Sequence, residues 1–381
     1  MGGGVSASGE LGLNERAWQI ADAMAKNAAA LRVAVRQLSG GARVIDAGID
    51  ATGGFGAGRA LAEICTGGLA DIAYPPVPIG GETWPGVRVW TDHPAVSCMA
   101  SQYAGWAIQV GKYFAMGSGP LRAHARVEKE LFAKLGYAER AARGVLVLET
   151  RTLPTDEVAG WAIQVGKYFA MGSGPLRAHA RVEKELFAKL GYAERAERGV
   201  LVLETRTLPT DEVASWVGQK AGLAPSQLTF VVAPTASLAG GVQIVARILE
   251  TGLHKMDTLG FDVNKIVSGI GTAPLPPVAK NDLRAIGRTN DCILYGGQAR
   301  YTVQADDAEL AELVPKIPAS ASKDYGTPFY DIFKRYDSDF YKIDPLLFSP
   351  AEVWLTSVQS GKTYHAGHVN PEVLRASLLE S

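Results

Sequence analysis

Val44-Ile45-Asp46-Ala47-Gly48-Ile49 leads into Gly53-Gly54-Phe55-Gly56-Ala57-Gly58 and then into Arg59 to Cys65: an apolar strand, a Gly-rich turn and a helix in succession. Upstream, Asn14 is placed to cap a helix whose apolar stripe is Ala17, Ile20, Ala21 and Met24. Strand-like runs at 31–37 and 43–49 then read as a hairpin through Ser39-Gly40-Gly41. Downstream, strands are predicted at 87–91, 229–233, 292–295, 300–303 and 352–356. Strands that alternate with helices and are interrupted by hairpins predict an α/β fold with mixed α+β character. The best internal break lies at Gly222 to Ser226, giving domains at 1–222 and 223–381.

One segment does not belong to that pattern. Residues 105–159 recur as 160–214, 55 residues each, and the copies differ only at Ala142 against Glu197. Two near-identical units are a tandem duplication rather than a solenoid, whose repeats are several and diverge on their surfaces. Each unit reads as a strand, a Gly-rich turn such as Gly117-Ser118-Gly119-Pro120, a helix, a strand and a helix start. The junctions differ. Gly160 cuts the helix begun at 155–159 after barely one turn, whereas 210–214 runs on through Trp216 and Val217 as an amphipathic helix. Conversely, only the first copy's opening strand has an uninterrupted upstream segment. A hybrid of the first copy's start and the second copy's end is therefore expected in the native slot.

Composition narrows the function. With 47% hydrophobic, 20% charged and 8% aromatic residues, the chain reads as globular. A formal charge of −1 leaves no electrostatic footprint for nucleic acid or anionic membrane, so small molecules and proteins are the expected partners. Three widely spaced cysteines (Cys65, Cys98, Cys292) suit a reducing compartment. No apolar run is long enough to span a bilayer, and no basic stretch leads an apolar one at the start, so a cytoplasmic location is expected.

Several motifs resolve into plain structure. The Gly53–Gly58 turn lacks the third glycine of a dinucleotide fingerprint, since Arg59 stands there. Ser360-Gly361-Lys362-Thr363 imitates a phosphate loop, yet Thr356 replaces its first glycine and the flanks alternate like a hairpin. His365 and His368 share a metal-like spacing without a nearby third ligand, so no metal is expected. Gln243 to Glu250 is different. Arg247 and Glu250, three apart on a helix, share one face, and the preceding Ala233-Pro234-Thr235-Ala236-Ser237 ends a strand where groups gather at a cleft. By itself such a pair is more often a surface ion pair than a catalytic one.

Six stretches in order carry a specific resemblance. They are Ile45-Asp46-Ala47-Gly48 with Gly53-Gly54-Phe55; Thr91-Asp92-His93-Pro94-Ala95-Val96; Tyr113-Phe114-Ala115-Met116-Gly117-Ser118-Gly119-Pro120; Ala233-Pro234-Thr235-Ala236-Ser237; Gly287-Arg288-Thr289-Asn290-Asp291-Cys292; and Phe340-Tyr341-Lys342-Ile343-Asp344-Pro345. Together they resemble the methenyltetrahydromethanopterin cyclohydrolases over almost the whole chain, apart from the extra repeat. The resemblance implies two α/β domains with the pocket between them and a cytoplasmic homo-oligomer, a trimer. It also implies hydrolysis of the methenyl bridge of a tetrahydromethanopterin without metal or prosthetic group. Arg247 and Glu250 match its catalytic Arg and Glu, and Lys112 or its twin Lys167 matches a substrate-binding Lys. The alternative is a non-catalytic pterin-binding paralogue disrupted by the duplication.

Overall fold

The computed structural model describes residues 11–110, 113–118, 168–173, 190, 196–336 and 342–379. The chain forms two compact units, Met1–Gly68 with Ala100–Pro234, and Leu69–Met99 with Thr235–Ser381. Gly222, where the sequence analysis drew the domain edge, lies inside the first unit. Both units are sheets bearing helices, so the fold is mixed α/β.

The first sheet runs β1 (Ala34–Gln37), β2 (Arg43–Asp46), β10 (Leu228–Ala233), β9 (Gly199–Thr205), β7 (Tyr113–Ser118), β6 (Ala104–Val110) and β8 (Tyr168–Ser173). β2, β10 and β9 are mutually parallel, and the other pairs along this order are antiparallel. All six residues of β10 are buried, the continuous apolar pattern of a strand covered on both faces. The strands come from both repeat copies. The first supplies β6 and β7, the second supplies β9, and the second copy of Tyr-Phe-Ala-Met-Gly-Ser pairs with β6 as an added edge. The helix start expected at 155–159 lies outside the described residues.

Helix α1 (Leu13–Lys26) buries Leu13, Ala17, Ala21 and Met24 and packs on α3 (Phe55–Cys65), with the short α2 (Ala28–Leu31) leading into β1. Asn14 is not its cap: Gly12 holds that position in the left-handed region, and Asn14 lies fully buried within the first turn. The apolar stripe begins one turn earlier than its spacing suggested, at Leu13, and draws the helix start with it. Helix α4 (Asp211–Ala221) is capped by the Thr210 hydroxyl, which accepts from the Val213 N–H, and ends at left-handed Gly222.

The second sheet runs β14 (Thr363–Gly367), β13 (Glu352–Ser357), β12 (Gln298–Val303), β11 (Ile266–Pro274), β5 (Glu82–Thr91) and β3 (Asp71–Ala73), with β4 (Pro76–Ile79) paired to β5. Only β12 and β13 are parallel. Its helices are α5 (Leu238–Val245), α6 (Ile248–Thr258), α7 (Asp282–Leu294), α8 (Asp307–Leu313), α9 (Phe329–Arg335) and α10 (Pro371–Leu379). The strand expected at 292–295 is instead the end of α7. The Asn281 side chain caps that helix by accepting from the Arg284 N–H at 3.0 Å, and Ala285, Thr289, Cys292 and Ile293 fall on its buried stripe.

Candidate active site

The chain leaves β10 through Thr235 and Ser237, and the Ser237 hydroxyl opens α5 by accepting from the Gly240 N–H at 3.0 Å. The Ala236 N–H is held by the Asp282 carboxylate of α7 at 2.8 Å. Between the start of α5 and α7 lies a small cleft lined by Thr235, Ser237, Arg288 and Thr289 against apolar Leu275 and Val278. Two of the quoted motifs, Ala233 to Ser237 and Gly287 to Cys292, therefore meet at one cleft.

Gln243 to Glu250 is not the single helix the spacing predicts. α5 stops at Val245, Ala246 and Arg247 form a break with ψ near zero, and α6 begins at Ile248. Arg247 is the N-cap residue of α6 and makes no side-chain capping bond; its Nη2 donates to Gln243 Oε1 at a long 3.4 Å. Glu250 lands in the first turn of α6, where the helix dipole favours a carboxylate. Arg247 is 8% exposed and Glu250 5%. A buried carboxylate at a helix start with a guanidinium three residues before it differs from a solvated surface pair, whose worth is small.

Two groups that feel the charge of Glu250 are protonated. Burial pushes the Cys98 thiol up to about 12; a bond to Ser97 opposes the shift and the Glu250 charge adds to it. Burial also raises the Tyr301 phenol well above its usual value, with Cys98 and Glu250 contributing. Cys98 is therefore no thiolate nucleophile at neutral pH.

Two further buried groups escaped the sequence analysis. Lys255, on α6, is 1% exposed, and its Nζ donates to the Leu346 carbonyl. Burial lowers it to about 8, against the pull of Asp344. Asp291, on α7, accepts from the Phe329 N–H at 2.8 Å and from the Ser377 hydroxyl, joining α7 to α9 and α10. Burial raises Asp291 to about 7, and those two bonds oppose the shift. Asp291 was visible only as part of a motif.

The remaining candidates separate. Ser360-Gly361-Lys362 turns the β13–β14 hairpin, and Lys362 Nζ pairs with Asp307 at 2.6 Å. His365 Nε2 meets Glu352 Oε1 at 2.8 Å, and its ring stacks on Trp354 at 4.7 Å. Among the described residues no three His, Cys, Asp or Glu side chains gather as a metal site. Just before the Gly-rich turn, a carboxylate of the chain itself organises the backbone. Asp46 Oδ1 accepts from the Gly48 and Ile49 N–H groups at 3.0 and 2.7 Å, and Oδ2 from Asp50 and Ala51 at 2.8 and 3.0 Å. Lys112 and Lys167 lie outside the described residues.

An α/β framework that buries Glu250 three residues after a buried Arg247, near a protonated thiol and phenol, has groups suited to acid–base chemistry. The family model described as Cyclohydrolase (MCH) matches residues 12–159 and again 157–378, and the two matches part where the first repeat copy ends. Among curated relatives, the protein of Methanococcoides burtonii is 37% identical over 368 residues, covering 96% of this chain and 98% of its own. That of Methanosarcina barkeri is 38% identical over 369 residues, with 96% and 98% covered. That of Methylobacterium organophilum is 40% identical over 367 residues, with 96% and 97% covered. All three are named methenyltetrahydromethanopterin cyclohydrolase. The chain belongs to the MCH cyclohydrolase family.

Proposed function

We propose that this chain hydrolyses 5,10-methenyltetrahydromethanopterin to the 5-formyl derivative, with Glu250 carrying the proton and Arg247 orienting it. The observation that supports this most is the placement of Glu250, 5% exposed in the first turn of α6, three residues after an Arg247 that is 8% exposed. The family relation supplies the substrate.

The bridge carbon of the substrate is a cationic amidinium. Water attacks it and Glu250 takes one proton, leaving a neutral carbinolamine. Glu250 then returns that proton to N10 as the C–N10 bond breaks, and the hydroxyl proton leaves to solvent as the formyl carbonyl forms. The net products are the formyl compound and one proton. Arg247 favours the ionised carboxylate, and the carboxylate in turn stabilises the cationic carbon. Lys112 or Lys167 contacts the pterin or the anionic tail. In this reading the protein is a cytoplasmic homo-oligomer, a trimer, with a small-molecule partner and no prosthetic group.

The test is the loss of the methenyl chromophore's absorbance on adding enzyme. Glu250→Gln should lower kcat by about 10²–10⁴ while KM changes far less. Full turnover in that variant refutes the mechanism.

A further inference from the structure

Arg247, the N-cap residue of α6, makes no side-chain capping bond to the first turn. An anchor comes from the sheet. Tyr301 lies on the inward face of β12 with Ala299 and Val303, and its hydroxyl donates to the Leu249 carbonyl at 2.9 Å. Leu249 is the residue before Glu250. The approach is very close: a Cβ on Gly252 would sit 2.1 Å from the Tyr301 hydroxyl oxygen. Gly269 of β11, directly opposite Tyr301 in register, leaves the ring room beside Leu249. A buried hydroxyl needs a partner, and this one is a backbone atom of the turn that carries the carboxylate.

We infer that Tyr301 is a positioning residue for Glu250: its hydroxyl, bonded to Leu249 across the side-chain-free edge of Gly252, fixes the first turn of α6 and with it the carboxylate. The inference rests on Glu250 being the proton carrier proposed above. Tyr301 touches no reacting atom in this scheme and acts through the turn.

The test uses the full chain and the chromophore assay, with kcat expressed per folded molecule well below each variant's Tm. Tyr301→Phe should lower kcat about tenfold with KM held within about twofold, because a misplaced proton carrier costs rate and not binding. Gly252→Ala, which pushes the hydroxyl off Leu249 while keeping it, should do the same. The double variant should be little worse than either alone, since both break one contact. If one single variant does not fold, the other decides.

A Tyr301→Phe enzyme with a lower Tm but unchanged kcat per folded molecule overturns the inference, as does a loss carried by KM. Glu250→Gln is run in parallel. A dead Glu250→Gln beside an undiminished Tyr301→Phe refutes the positioning role alone. An active Glu250→Gln overturns both this inference and the proposed mechanism.

Discussion

Asp291 is fully buried, yet its two acceptor atoms hold groups from two other helices, the Phe329 N–H and the Ser377 hydroxyl. Its carboxyl titrates near 7 in the fold because burial disfavours the charge, against 3.8 as the ordinary value. The sign of the linkage follows. Between those two values the folded chain keeps a proton that the unfolded chain has lost, so this contribution to stability is complete below about pH 4 and is lost as pH rises through 7. Asp291→Asn, which cannot ionise and keeps an acceptor for Phe329, should flatten this part of the Tm-against-pH curve between about pH 4 and 7. A curve parallel to that of the parent chain would refute the assignment.

Among the elements, the turn after β2 is organised by one side chain. Four N–H groups from Gly48 to Ala51 converge on the Asp46 carboxylate, which fixes the chain between β2 and the Gly53–Gly58 turn. Asp46→Ala should destabilise the chain, and added formate should restore Tm with rising concentration while chloride at equal ionic strength does not. The same scale shows what the sequence could reveal. The β1–β2 hairpin, buried β10 and the β13–β14 turn were legible because periodicity and turn residues agree there. β11 was not, because Gly269, Gly271 and Pro274 interrupt its strand pattern; those gaps let Ile248 and Leu249 of α6 press onto the sheet. The 292–295 run was misjudged because a short apolar stretch does not distinguish a strand from the end of a buried helix. Arg247 and Glu250 were legible as a pair, but the break between α5 and α6 has no Pro or Gly to announce it.

At the scale of the molecule, the duplication changes the source of the strands more than their chemistry. β9 is drawn from the second copy, and its seven residues recur unchanged in the first at 144–150. A chain lacking residues 160–214 therefore has every residue type the first sheet needs. It should keep kcat within about twofold and a Tm at least as high, because residues 144–150 and Lys112 repeat β9 and Lys167 in identity. A loss of turnover would mean that the second copy contributes to the active enzyme.

The excursion of Leu69–Met99 into the second unit sets the order in which this protein can be finished. Strand β5 lies within that excursion, while β11, its partner on the path to the rest of the sheet, spans Ile266–Pro274. On a ribosome adding roughly 5–20 residues per second, β5 emerges and then waits on the order of ten seconds or more for that partner. Through that interval it has only β3 and β4 beside it, so cotranslational folding begins with the first unit, and a chaperone present during synthesis would find its longest-lived client in residues 69–99.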